Sequence, residues 1–246
     1  MLPKTKSKPK HTLSDLTALV YGPSKIGKST WCSKADDALF LATEPGLNAL
    51  EVFQTPITCW DDLLQACAEI AEGKHEFKTI VVDTVDNAYK MCSDYVCKKF
   101  KIEHESDLGY GKGYALINNE FQRVINKLAF LPYGLILISH SQERDIETRT
   151  GKHTRIVPTL PVDLILFCDL DMKTGEDGKP VWQRVMRTKP SPNYDAGDRT
   201  GRLPEVIPLD FSSFMKAFNN TAAGAAASAA RPKPEPTASA AAKPQQ

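Results

Sequence analysis

Long apolar runs are missing from this chain. No stretch approaches the roughly 20 consecutive apolar residues that a membrane-spanning helix needs. The lysines at the start (Lys4, Lys6, Lys8, Lys10) lead into polar sequence rather than the apolar core of a signal peptide. A soluble protein of the cytosol, with no membrane partner, is expected. An excess of either charge is missing too: 31 basic against 30 acidic side chains leave a net charge of +1. No global field therefore draws the chain to nucleic acid, and any such contact must come from local patches.

Cysteine pairs are also absent. The six cysteines (Cys32, Cys59, Cys67, Cys92, Cys97, Cys168) contain no CxxC spacing and fall mostly on segments that read as buried helix or strand. Reduced structural thiols are the expectation. His104 and His153 lack metal-ligand spacing and read as surface residues. No internal repeat is visible.

What is present is an average globular composition over 246 residues, 41% hydrophobic and 25% charged, which suits one main domain. Residues 1–12 read as a flexible basic arm, 13–218 as the folded domain, and 219–246 as a disordered Ala/Pro-rich tail, because Pro232, Pro234, Pro236 and Pro244 would break any helix the alanines began.

Within the folded part, short apolar runs alternate with amphipathic segments. Thr17–Tyr21, Ala38–Thr43, Thr79–Val82, Leu135–Ile138 and Val162–Cys168 read as strands buried on both faces. Helical stripes lie between them. One is Leu63, Leu64, Cys67, Ile70 and Ala71 behind a Thr58-x-x-Asp61 capping box; a second is Val85, Tyr89, Cys92, Val96 and Phe100; a third is Tyr114, Ile117, Phe121, Val124 and Leu128. Asp169–Arg187 reads as a hairpin turning at Gly175–Gly178. The prediction is an α/β fold, a mostly parallel sheet with right-handed crossovers and helices on both sides.

The chemistry begins with GxxxxGK[ST]. It occurs once, directly after the first strand and opening a helix, which is the context phosphate binding needs. Glycines let the loop amides turn inward toward phosphate, adding to the positive end of the helix. The candidate nucleotide-binding set is Gly22, Pro23, Ser24, Lys25, Ile26, Gly27, Lys28, Ser29 and Thr30. Lys28 can reach the β- and γ-phosphates, and the Ser29 hydroxyl can ligate magnesium. Asp83, ending an apolar strand, is the candidate partner for the metal, although an Asp there is often only a turn residue. The next residue is Thr84 rather than the Glu many P-loop ATPases carry. Glu44, at the end of another strand, is therefore the candidate water-activating group, with a solvated loop carboxylate as the alternative.

These residues in this order resemble the RecA-like P-loop ATPases. The resemblance implies ATP and magnesium as cofactors and places the catalytic Glu at Glu44. It puts a polar sensor at His140, where RecA has Gln, and two cations after the late hairpin, Arg187 and Lys189, that complete a neighbouring subunit's site. Exposed strand cations are the alternative for that pair. Gly109–Tyr114, Thr188-Lys-Pro-Ser-Pro and Asp198–Pro204 look like the phage single-strand annealing proteins of the Sak group. That likeness implies single-stranded DNA as partner, head-to-tail assembly into a ring or filament, a single-strand binding protein as a further partner, and a bacterial host's cytosol as the location.

In such folds DNA runs along two loops, here Lys101–Gly113 and Gln142–Pro161. Tyr110 could stack on a base, and Lys112, Arg144, Arg149, Lys152 and Arg155 could meet phosphates. Acidic residues interleave both loops, so a merely solvated surface stays open. The leading function is a DNA-stimulated ATPase of recombination or strand annealing. A ring helicase and a nucleotide-dependent assembly switch without DNA are the alternatives.

Overall fold

The computed structural model describes residues 2, 4–6, 10, 12–141, 162–175 and 178–220. Among these residues nine strands form one sheet: β1 (Thr17–Gly22), β2 (Ala38–Ala42), β3 (Phe53–Pro56), β4 (Thr79–Asp83), β5 (Gly134–His140), β6 (Leu164–Thr174), β7 (Pro180–Arg187), β8 (Gly197–Asp198) and β9 (Val206–Pro208). Their order is β3-β2-β4-β5-β1-β6-β7-β9, with β8 pairing with β6. The first six in that order run parallel; β7, β8 and β9 pair antiparallel. This is the expected mostly parallel α/β sheet, with β6 and β7 forming the late antiparallel hairpin.

Side chains alternate across each strand, and two cores result. Leu19, Leu41, Val82 and Leu137 face α2 (Trp60–Glu72), α3 (Val85–Phe100) and α4 (Lys112–Ala129). Their neighbours Val20, Phe40, Val81 and Ile138 face α1 (Lys28–Cys32) and α5 (Phe211–Asn220). Trp60 is buried and stacks on Phe121 at 6.0 Å between ring centroids, tying α2 to α4. Truncating a buried aromatic of that size to Ala costs about 3–5 kcal/mol.

Two local expectations are corrected. The cap of α2 is shifted by one residue from Thr58/Asp61. Cys59 is the N-cap, and Asp62 accepts from the Cys59 N–H at 3.1 Å, the Thr58 N–H at 2.8 Å and the Thr58 hydroxyl at 2.6 Å. Asp62 wins because it occupies the third helical position, whose side chain reaches back to the free amides. The Val162–Cys168 strand and the first arm of the hairpin are also one strand, β6, since the chain continues past the end of β1 without a break.

Elements beyond those expected include β3, the short strands β8 and β9, and α5. Edge strand β3 is exposed along its whole length, so no apolar run announces it. Helix α5 does carry a signal: Phe211, Phe214, Met215 and Phe218 recur at helical spacing after Asp210, whose carboxylate accepts from the Ser213 N–H at 2.8 Å. No described helix is long and apolar enough to cross a membrane.

Candidate functional site

β1 is the fifth of the six parallel strands, between β5 and β6, and the chain leaves it toward β2 on one side while β6 lies on the other. That is the switch point at which open α/β sheets form their ligand crevice. The loop from Gly22 to Gly27 turns there before α1 begins at Lys28. Two glycines are required by geometry. A Cβ on Gly22 would lie 2.3 Å from the Cys168 carbonyl oxygen, so β6 passes too close for any side chain. Gly27 has φ 115°, a conformation that L side chains rarely adopt.

Around this loop a cavity of about 360 Å³ collects side chains from four parts of the chain, among them Lys28, Ser29, Thr30, Glu44, Asp83 and His140. Ser24, Lys25 and Gly27 line it as well, whereas Gly22 lies beneath and Ile26 turns into the apolar core. Pro23 takes part through its carbonyl. Lys28 Nζ donates to the carbonyls of Gly22 at 3.0 Å and Pro23 at 2.9 Å and stands 3.2 Å from His140 Nδ1. An ammonium only donates, so His140 Nδ1 accepts and Nε2 carries the proton, directed at Glu44 Oε1 3.5 Å away. The other Glu44 oxygen accepts from Asn87 Nδ2 at 3.0 Å. Glu44, about a third exposed, is thus held between α3 and the end of β5 while facing the cavity.

The Ser29 hydroxyl donates to Asp83 Oδ2 at 2.7 Å. A hydroxyl and a carboxylate side by side are the hard oxygen donors that suit magnesium. Among the described residues no group of three or more His, Cys, Asp or Glu is placed to hold a metal alone. The pair therefore fits a cation whose other ligands are phosphate oxygens and water. Burial pushes the Asp83 carboxyl above its ordinary value, with the Glu44 charge adding to the push and the Ser29 hydrogen bond opposing it. Burial also lowers Lys28, against the attraction of Asp83, Asp86 and Glu44. Both charges have lost water that a nucleotide and its metal could replace.

Besides Asn87, two further groups near the site carry no motif. Asp86, in the first turn of α3, accepts from the His140 N–H at 2.8 Å and the Ser139 hydroxyl at 3.0 Å. Arg184 on β7 reaches the outside of the loop, 3.4 Å from the Ile26 carbonyl. Asp86 and Asn87 could have been suspected from their closeness to Asp83. Arg184 had no such signal, since its contact joins segments 158 residues apart.

The remaining candidates lie away from the cavity. Arg187 is bound within its own hairpin, to Asp169 at 3.1 Å and Asp171 at 3.5 Å, with its guanidinium 5.6 Å from the centre of the Tyr194 ring. Lys189 follows beyond the end of β7 and is half-buried. Tyr110 is fully exposed at φ 47°, and Lys112 opens α4 beside it. Arg144, Arg149, Lys152 and Arg155 lie outside the described residues. Of the cysteines, Cys59 is exposed, Cys67 half-buried and the other four buried, all as free thiols.

The chain is 31% identical over 130 residues to the SPbeta prophage-derived uncharacterized protein YorG of Bacillus subtilis (strain 168), a match covering 50% of this chain and 40% of that protein. It therefore spans less than half of that relative's length. Among solved structures it is similar to the RadB recombinase, at 15% identity and a TM-score of 0.46 over 81% of this chain and 90% of that one. It is also similar to the flagellar accessory protein FlaH from Methanocaldococcus jannaschii, at 12% identity and a TM-score of 0.39 over 79% and 84% of the two chains. The family model described as an AAA domain matches residues 14–200, most of the folded region. With that match laid over the loop, the Ser29–Asp83 pair and the sheet that brings them together, the chain belongs to the AAA domain family and has the build of a P-loop ATPase.

Proposed function

We propose that this chain binds ATP with magnesium, hydrolyses it, and couples the turnover to single-stranded DNA in recombination or strand annealing, as the likeness to Sak-type phage proteins implies. The observation that carries the hydrolytic part is the placement of Glu44. It faces the phosphate-loop cavity with one carboxylate oxygen held by Asn87 and the other directed at His140, so its orientation is set by two different elements. A carboxylate fixed in this way can take a proton from a water approaching the γ-phosphate.

The chain's own residues then have separate tasks. Lys28 exchanges its carbonyl partners for phosphate oxygens and meets the charge that grows on them. The amides of the loop would hold the phosphate chain, and the oxygens of Ser29 and Asp83 would hold magnesium, which would neutralise charge on the phosphates. Glu44 receives the proton of the attacking water at a carboxylate oxygen. His140 touches both Glu44 and Lys28 and so can report whether the γ-phosphate is present.

The DNA part rests on the exposed Tyr110 next to Lys112, the cations of 142–161 and the prophage origin of a relative. Head-to-tail assembly, with Arg187 and Lys189 acting on a neighbour's nucleotide, belongs to the same proposal, as does action in a host's cytosol alongside a single-strand binding protein. ATP turnover measured with and without single-stranded DNA tests it. Turnover that rises with DNA is expected; turnover indifferent to DNA would instead favour the assembly switch. Mixing Lys28→Ala protein with an Arg187→Ala, Lys189→Ala double variant should restore partial activity if the cations act across an interface. No recovery despite co-assembly would remove the trans role.

A further inference from the structure

The end of β5 poses a hydrogen-bonding problem. β5 runs two residues beyond the point where β4 stops, since Asp83, the last residue of β4, lies opposite Ile138. The N–H of His140 therefore has no strand to pair with on that side, and an unpaired backbone donor at a part-buried position is costly. Asp86 supplies the acceptor. Its two oxygens take the His140 N–H at 2.8 Å and the Ser139 hydroxyl at 3.0 Å. In the first turn of α3 the carboxylate also sits at the positive end of a 16-residue helix.

The other side of the same segment is held as well. Ser141 N–H donates to the Gly22 carbonyl at 3.0 Å, and that carbonyl also accepts from Lys28 Nζ. His140 is thus pinned in the backbone from both sides, between the first residue of the phosphate loop and the start of α3. Its ring stands 3.2 Å from Lys28 and 3.5 Å from Glu44. A ring with two partners on opposite nitrogens tolerates little displacement of its own backbone.

We infer that Asp86 is a positioning residue for the ATP site, acting through His140: it fixes the backbone from which the imidazole reaches Glu44 and Lys28. The inference rests on the hydrolytic reading of the site, and it concerns a side chain that touches none of the reacting atoms. Asn in place of Asp86 keeps the shape but loses the charge, and its single oxygen meets the His140 N–H only if its NH2 turns to Ser139, whose hydroxyl must then switch from donor to acceptor.

The test is a double-mutant cycle with a spectroscopic partner. Asp86→Asn is expected to lower kcat about tenfold while KM changes little, because the loop that binds phosphate is untouched. His140→Ala should lower kcat at least as much, and the Asp86→Asn, His140→Ala double variant should be no slower than His140→Ala alone. Losses that multiply, or an Asp86→Asn enzyme as fast as the parent, would overturn the inference. Nitrogen NMR of the labelled imidazoles reads the same point without turnover. The parent should show His140 protonated at Nε2 with Nδ1 accepting, and Asp86→Asn should shift or broaden those signals; unchanged signals count against it. The thermal midpoint separates positioning from folding: if Asp86→Asn lowers it, Asp86→Glu, which keeps both acceptors on a longer arm, should recover both the midpoint and the His140 signals. A parent protein that turns over no ATP would defeat the hydrolytic reading instead, and the NMR comparison would still decide whether Asp86 sets the ring.

Discussion

Of two cavities that open on the described part of this sheet, the larger is not where the chemistry collects. A groove of about 620 Å³ lies between edge strand β3 and α2, against about 360 Å³ at the phosphate loop. The groove is walled by Phe53, Phe77 and His75 and rimmed by carboxylates such as Glu69 and Glu72, which stand in solvent. The smaller cavity instead contains a lysine and an aspartate that burial has pushed in opposite directions, each toward its neutral form. Volume follows from how elements happen to end; stripping water from opposing charges costs stability and persists where something is bound or reacted. The difference can be broken from either side.

The largest effect should come from Lys28→Ala, which takes the cation out of the smaller cavity. ATP turnover is expected to fall by about 10³-fold or more, with the fold kept, because the loop and not the core loses contacts. Steady-state phosphate release together with a thermal melt checks this. Normal turnover would move the chemistry elsewhere.

Next in size is Glu44→Gln. The amide keeps its bond to Asn87 but cannot take a proton, so turnover should drop by about 10²-fold while a fluorescent ATP analogue binds as before. Loss of binding as well would make Glu44 part of the nucleotide cradle rather than the group that activates water.

How much of this contrast was legible in the sequence depends on how far apart the cooperating residues lie. The phosphate loop is contiguous, and a strand must precede it, so Lys28 and Ser29 could be placed from eight residues. Asp83, Glu44 and His140 follow because each ends a buried apolar run, and parallel strands deliver their ends to one edge. Asn87 and Asp86 were missed since a polar residue at the start of a helix usually faces solvent; only the overrun of β5 past β4 gives Asp86 its partners. Arg184 and Arg187 illustrate the limit. Three residues apart on one strand, they point to opposite faces, and nothing in the sequence says that one would reach the loop while the other is held by Asp169 and Asp171. Edge strand β3 escaped for the opposite reason, having no buried face to leave a pattern.

A smaller effect, read in stability, sharpens the difference. The folded-state pKa of Asp83 lies above the ordinary 3.8, with burial as the main cause. A raised folded pKa means that the stabilising balance is complete below the unfolded value and is lost as pH rises through the folded one. At neutral pH, with no nucleotide bound, the ionised carboxylate therefore costs stability. Asp83→Asn should melt a few degrees higher than the parent at neutral pH, and the two melting points should converge as pH falls below about 3.8. A variant that melts lower at neutral pH would show that the Ser29 bond and the attraction to Lys28 outweigh the burial.

The smallest effect is expected in the larger cavity, from Phe53→Ser. Phe53 is 65% exposed on edge strand β3, and its main aromatic neighbour is Phe77, edge-on at 5.4 Å between centroids. Removing an exposed ring with one aromatic contact should cost no more than about 1 kcal/mol. Turnover should stay within about twofold of the parent, because uniform effects of distant surface residues on catalysis are small. The substitution is not a trivial control, since a physical route to the site exists. Phe53 lies opposite Leu39 on β2, and β2 ends at Ala42, two residues before Glu44. If the groove were coupled to catalysis, loosening β3 would let the end of β2 drift and Glu44 would lose its register with Asn87 and His140. Thr43 argues against such drift. Its N–H donates to the Asp83 carbonyl at 2.8 Å, and its hydroxyl accepts from the Thr84 N–H at 2.7 Å and donates to the Thr84 carbonyl at 2.9 Å, so the exit of β2 is tied to β4 rather than to the edge. A large fall in turnover for Phe53→Ser, with the melting point unchanged, would mean that those ties do not isolate the edge and that the larger cavity takes part after all.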